Sequence, residues 1–246
     1  VAKEVFNRYE LKYLIHHDVY VELLDALRPY LSLDANGDEE GYYTVASIYY
    51  DTEDHLFHQE KMMGQPFRQK LRMRTYNKTS LNDYAFIEIK KKHKGVVNKR
   101  RTLIRLKDAY SFLAEKQLGA RTADLDVSNQ QILKEIDFLK TFYQLKPKVL
   151  LAYERQAFQA IDDRSIRITF DKNLRKREYN FRLENGSDGE MYVDPHVYVL
   201  EVKLSERMPL WLARILSEYR CAMQSFSKYS SCYSNTEVPV AEKNII

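Results

Sequence analysis

Six stretches of this chain alternate apolar and charged side chains with a period of two, and that alternation limits what the chain can become. A period of two is the mark of a β-strand, because successive side chains point to opposite faces. VLEVKL at 199–204 puts Leu200, Val202 and Leu204 on one face and Glu201 and Lys203 on the other. RYELKY at 8–13 sets Arg8, Glu10 and Lys12 against Tyr9, Leu11 and Tyr13. KLRMRTY at 70–76 sets Arg72 and Arg74 against Leu71 and Met73, and FIEIKKK at 86–92 sets Glu88 and Lys90 against Ile87 and Ile89. In NKRRTLIRL, Lys99 and Arg101 share a face; in SIRITFD, Arg167 and Asp171 lie opposite Ile166, Ile168 and Phe170.

Strands of this kind can be arranged in two ways. One is an open sheet or sandwich with its charged faces in water. The other is a barrel whose apolar exterior is covered by helices and whose charged faces line the bore, an uncommon design because small barrels usually fill with apolar side chains. Two features favour the barrel. The helices are amphipathic and need an apolar sheet surface to cover. The charged faces are also rich in arginine, whose planar fork suits phosphate oxygens and keeps its charge when desolvated. An enclosed set of roughly eight cations needs a counter-anion, and a chain of phosphates would serve.

The remaining sequence fits a folded α+β protein. It has 246 residues, 44% hydrophobic and 30% charged, with only 7 Gly and 6 Pro. That composition argues against disorder and long linkers. The net charge of +4 is mild, so the position of the charge matters more than its sum. Cys221 and Cys232 have no metal-ligand spacing and read as free thiols in a reducing compartment. No signal peptide is visible, and no apolar run approaches the roughly 18 residues a membrane span needs. Helices are expected over 17–30, 52–63, 107–118, 128–143 and 208–220. Thr52 and Ser128 read as caps, and Val21, Leu24 and Leu27 form one stripe. Strands are expected near 4–15, 42–50, 67–76, 83–93, 96–105, 147–160, 165–171, 174–182 and 196–204. A hairpin turn at KHKG would use Gly95. Short connections between strands favour an antiparallel sheet.

The motifs RYELKYLI, SIYYDT, KLRMRTY, FIEIKKK, NKRR, YERQAF, IRITFDKNL, LEVKL and FSKYSS, taken in order, resemble the catalytic domain of the vacuolar transporter chaperone complex. That domain is a polyphosphate polymerase related to the CYTH triphosphatases in the triphosphate tunnel metalloenzymes. The resemblance runs from about residue 4 to 233. It implies one domain over 1–246, an antiparallel closed β-barrel with a basic bore and helices packed outside. It also implies transfer of the terminal phosphate of ATP to a growing polyphosphate chain, with release of ADP. Carried over motif by motif, it makes Lys12, Arg72, Arg74, Lys90, Arg155, Arg167 and Lys203 catalytic and Lys99, Arg101 and Lys228 substrate-binding. Glu201 becomes the metal ligand, with Glu10 and Glu88 as helpers. The metal implied is Mn²⁺, with Mg²⁺ as the alternative.

One departure bears on the reaction. CYTH triphosphatases begin with Glu-x-Glu-x-Lys, and here Arg8 replaces the first glutamate, which favours transfer over hydrolysis. A triphosphatase and a non-catalytic polyphosphate-binding module remain the alternatives. Lys91, Lys92 and Lys94 read as a solvated hairpin tip that could also guide an anion. The six histidines show no metal-ligand arrangement, and no nucleic-acid module is recognisable. Expected partners are ATP, inorganic polyphosphate and a separate membrane protein. The expected location is the cytoplasm, with any membrane association made through that partner.

Overall fold

The structure, a computed structural model, describes residues 5–7, 9–93, 96–119, 122, 124–205 and 207–233. Arg8, Lys94 and the Gly95 turn lie outside the described residues. In chain order the elements are β1 (Val5–Asn7), β2 (Tyr9–His16), α1 (His17–Leu27), a 3-10 turn (Arg28–Tyr30), β3 (Leu31–Leu33) and β4 (Tyr42–Asp51). Next come α2 (Leu56–Met62), β5 (Phe67–Tyr76), β6 (Tyr84–His93), β7 (Val96–Arg105), α3 (Leu106–Ala114) and α4 (Gln130–Phe142). The last are β8 (Lys146–Ala160), β9 (Arg167–Arg177), a 3-10 turn (Leu183–Asn185), β10 (Glu190–Met191), β11 (Val197–Leu204), α5 (Leu210–Glu218) and α6 (Lys228–Ser231).

The chain forms two compact units. The first takes Val1–Asn7, Val45–Ala152 and Lys176–Gly189, and the second Arg8–Thr44, Tyr153–Arg175 and Glu190–Ile246. In the first, the strands follow the order β1-β7-β6-β5-β4-β8; in the second, the order β8-β9-β11-β2, with β3 on β8 and β10 on β9. The long β8 gives its first residues to one unit and its last to the other.

Each unit has one apolar sheet face, and helices cover that face. In the first unit Leu71, Met73, Ala85, Ile87, Ile89 and Ile104 pack under Phe112 of α3 and Ile132, Ile136 and Leu139 of α4. Even Arg100, on the helix side of β7, is met there by Glu135 of α4 at 2.7 Å. In the second, Ile15, Ile168, Phe170, Leu200 and Val202 pack under Leu23 and Leu27 of α1 and Leu212 and Leu216 of α5. Burying each such side chain contributes about 1.5–3 kcal/mol. This stabilisation fixes register, because a slip of one residue would turn the charged face into the core.

Several local expectations change. β9 is one strand where a break was expected near 172–173, because Asn173 sits within it at φ 54, a left-handed conformation that asparagine tolerates. Its amide donates to Glu154 at 2.8 Å. Asn129, not Ser128, caps α4, accepting from the Ile132 amide at 3.0 Å, while Ser128 Oγ accepts from Leu103 N. Val21 is exposed, and the buried stripe of α1 is Val19, Tyr20, Leu23, Leu24 and Leu27. Leu118 lies beyond α3 and is exposed. α2 starts at Leu56, preceded by a cap built from two side chains. Thr52 Oγ1 accepts from Leu56 N, and the buried Asp51 carboxylate accepts from Phe57 N and His58 N.

Candidate functional site

The charges gather on the opposite face of each sheet, away from α3 and α4 in the first unit and from α1 and α5 in the second. In the first unit, β5, β6 and β7 align their charges in rows. Lys70 pairs in register with Lys90, and Lys90 with Lys99; one step along, Arg72 pairs with Glu88, and Glu88 with Arg101. Cross-strand partners share a face with Cβ atoms about 4.5–5.5 Å apart, and like charges placed there repel. Glu88, only 1% exposed, is the one carboxylate in these two rows. Arg72 Nε and Lys99 Nζ each reach it at 2.5 Å. Arg72 also donates to Tyr49 OH at 3.2 Å, and buried Arg74 donates to Ser47 Oγ at 2.9 Å. The Arg101 guanidinium lies 4.3 Å from the Phe86 ring centroid.

Burial pushes the Glu88 carboxyl up, but Arg72, Lys99 and Arg74 outweigh it and hold the group well below the usual carboxylate range. Lys99 goes the other way. Burial and the nearby arginines overcome the pull of Glu88 and bring its ammonium down to about 7.

In the second unit the charges converge on Glu201 of β11 and Asp171 of β9, 4% and 0% exposed. Lys12 of β2 is the register partner of Glu201 and reaches it at 3.3 Å; Lys203 reaches it at 3.1 Å. Lys228 of α6 bridges the two carboxylates, 2.9 Å from Glu201 and 2.5 Å from Asp171. Arg155 of β8 gives Asp171 two hydrogen bonds of 2.6 and 2.7 Å and approaches Glu201 at 3.6 Å. Tyr153 lies beneath Lys228 and Arg155. Arg167 is held apart, by Asp34 at 2.7 Å and Tyr43 OH at 3.0 Å. Glu10 is the register partner of Lys203.

Burial raises the Glu201 carboxyl, and Lys228, Lys12, Lys203 and Arg155 together hold it well below its usual range. Burial lowers Lys203 to about 8 despite Glu201. Lys12 and Lys228 are also penalised by burial, but Glu201 and Asp171 bring them above the ordinary lysine value.

The predicted residues therefore assemble into two groups. Arg72, Arg74, Glu88, Lys90, Lys99 and Arg101 share a face of the first unit, and Glu10, Lys12, Arg155, Arg167, Glu201, Lys203 and Lys228 belong to the second. Among the described residues no three His, Cys, Asp or Glu side chains converge as a metal site. Glu201 and Glu88, expected as metal ligands, have ammonium or guanidinium groups where a metal would sit. A protein-held divalent cation does not fit this donor set.

Some site residues were readable but not assigned. Lys70 stands two before Arg72, on the same period. Asp171 was placed on the charged face without a role, yet it anchors Arg155 and Lys228. Ser47, Tyr49, Tyr43 and Asp34 carry no local signal, because only strand pairing and loop placement bring them to the arginines.

Comparison with known proteins agrees with this architecture. The chain matches the VTC domain over residues 7–236. It is 28% identical to vacuolar transporter chaperone complex subunit 4 of Trypanosoma brucei brucei, over 94% of this chain and 34% of that protein. With the Schizosaccharomyces pombe subunit 4 it shares 24% over 70% of this chain and 26% of that one. The chain spans between a quarter and about a third of the length of these curated relatives. Its fold is similar to that of a putative adenylate cyclase from Bacillus halodurans (TM-score 0.56, 14% identity, 92% and 96% of the two chains). It is equally similar to a putative adenylyl cyclase from Hippeastrum, described as having a dominant triphosphatase activity (TM-score 0.56, 16% identity, 96% and 98%). The fold class is the one implied by the sequence in that its strands form an antiparallel sheet with helices on its apolar side, the fold of these neighbours. By the extent of its match, the chain belongs to the VTC domain family.

Proposed function

We propose that this chain is a polyphosphate polymerase that transfers the terminal phosphate of ATP to a growing inorganic polyphosphate chain and releases ADP. The observation that carries the reading is the alignment of Lys70, Lys90 and Lys99 in register across β5–β7, next to the row Arg72, Glu88 and Arg101. Such a face gains most from a ligand that brings many negative charges at close spacing. Membership of the VTC family and the likeness to subunit 4 of the transporter chaperone complex support the same substrate class.

Phosphoryl transfer asks mainly for positioning and charge stabilisation. A terminal oxygen of the polymer attacks the γ-phosphorus, the bond to the β-phosphate bridging oxygen breaks, and ADP leaves with that electron pair. Arg72, Arg74, Arg155 and Arg167 grip phosphate oxygens with planar forks, already oriented by Tyr49, Ser47, Asp171 and Tyr43. Lys12, Lys90, Lys99, Lys203 and Lys228, with Arg101, add positive charge that offsets the build-up on the leaving diphosphate. No step is assigned to a metal, given the donor set; Mn²⁺ or Mg²⁺ enters this reading bound to the nucleotide's own phosphates. Residues 1–246 work as one domain in this reading, in the cytoplasm, with a separate membrane protein as partner.

The test is incubation of purified protein with ATP and Mn²⁺, followed by gel staining for polyphosphate and an assay of free phosphate. A polymer ladder that disappears in Arg167→Ala is the expected result. Free phosphate without polymer would replace the reading with a triphosphatase, the activity named for the Hippeastrum neighbour. Polyphosphate binding without turnover would leave a binding module.

A further inference from the structure

Glu201 and Asp171 flank a common cation. In phosphotransfer sites, carboxylates so placed commonly hold a divalent ion. Here the shared cation is the Lys228 ammonium, 2.5 Å from Asp171 Oδ2 and 2.9 Å from Glu201 Oε1. The remaining contacts complete the shell. Arg155 donates to both Asp171 oxygens, Lys12 lies on Glu201 Oε1, and Lys203 and Arg155 lie on Glu201 Oε2. All four carboxylate oxygens therefore face nitrogen donors.

The charge count points the same way. Four cations (Lys12, Arg155, Lys203, Lys228) contact the two carboxylates (Asp171, Glu201), and Glu10 also acts on Lys12 and Lys203; four minus three leaves an excess of one positive charge. A divalent cation would enter against that excess and would have to displace Lys228. Lys228 is not a loose surface lysine. It is 6% exposed and lies over the Tyr153 ring at 4.8 Å. The turn that carries it is pinned by Ser227, which caps α6, and by Tyr229, 2% exposed and edge-on to Tyr233.

We propose that Lys228 is the resident counter-cation of Glu201 and Asp171, and that this cluster accepts a phosphate-chain anion without any divalent ion held by the protein. The ligand class rests on the phosphate reading above; the absence of a Glu201-bound metal does not.

Mn²⁺ binding by the full chain, followed by the electron paramagnetic resonance signal of free Mn²⁺ with no nucleotide present, tests this. Wild type and Glu201→Gln are expected to titrate alike. Lys228→Met is expected to gain one Mn²⁺ site that is lost again when Glu201→Gln is added. In EDTA, Glu201→Gln is expected to bind inorganic triphosphate at least as tightly as wild type, since it removes a negative charge. Glu201-dependent Mn²⁺ binding by wild type would overturn the proposal, and so would a tenfold or greater loss of triphosphate affinity in Glu201→Gln under EDTA. The wild-type and Glu201→Gln arms need no Lys228 variant to fold. A failed polymerase assay would leave the Mn²⁺ result standing.

Discussion

At the residue scale, the buried carboxylates Glu88, Asp171 and Glu201 govern what the cations around them can do. Glu88 pairs with both Arg72 and Lys99, so removing its charge takes from two partly buried cations the carboxylate they share. Breaking one side of a buried pair typically costs about 3–5 kcal/mol. Glu88→Gln is therefore expected to lower the unfolding free energy of the ligand-free protein, measured in urea, by an amount in that range, with inorganic triphosphate recovering part of the loss. Equal loss with and without triphosphate would mean that the anion does not reach this face. The depressed ammonium groups add a pH dependence. Lys99 stands at about 7 and Lys203 at about 8, against about 10.4 for an unfolded lysine. Between these values the unfolded chain holds more protons than the native one, so ligand-free stability rises as pH climbs from about 7 towards 10. Lys12 and Lys228 are raised, so their contribution persists through this window and does not alter the sign. A bound polyanion favours the charged ammonium forms and opposes the trend. Thermal unfolding at pH 6.5 and 9 should show the ligand-free melting point rising and triphosphate stabilisation shrinking, with a weaker slope in Lys99→Met.

At the scale of elements, the β5–β6–β7 ladder trades stability for charge. Lys90 sits between Lys70 and Lys99, and unfavourable cross-strand pairs cost about 0.2–1 kcal/mol. Lys90→Gln is expected to stabilise the ligand-free protein by up to about 1 kcal/mol while weakening triphosphate binding. A variant that loses both would assign Lys90 to structure. The same ladder explains what the sequence made legible. A strict period of two over β2, β5, β6, β7, β9 and β11 announced both faces, so the helix-covered side and the cationic side could be named residue by residue. Short elements without a period were not legible. β3, β10 and α6 have two to four residues each, and α6 was known only through the motif that contains Lys228. Ion pairing was also hidden. That Lys228 would bridge Asp171 and Glu201 depends on where a four-residue turn settles against two strands, and no local pattern encodes it.

For the whole molecule, a formal charge of +4 understates its electrostatics, because acidic residues elsewhere mask the cation rows. Binding should accordingly follow the local faces and be strongly salt-dependent. It should also discriminate among polyanions. Proteins that hold single-stranded nucleic acid offer bare aromatic faces on which bases stack. Two rings on the charged faces here are covered by cations: Phe86 by Arg101 at 4.3 Å and Tyr153 by Lys228 at 4.8 Å. A base would have to displace a guanidinium or ammonium group that a phosphate could use as it stands. A ligand that binds only the native state at a hundred times its Kd adds about 2.7 kcal/mol. For a chain of this size each kcal/mol shifts Tm by about 2–4 °C. Saturating polyphosphate is therefore expected to raise Tm by about 5–10 °C at low ionic strength, and by much less at high salt. Single-stranded DNA at the same phosphate concentration is expected to give a clearly smaller shift. Equal shifts from the two polymers would show that the faces read charge alone and would remove the basis for assigning them to a phosphate chain.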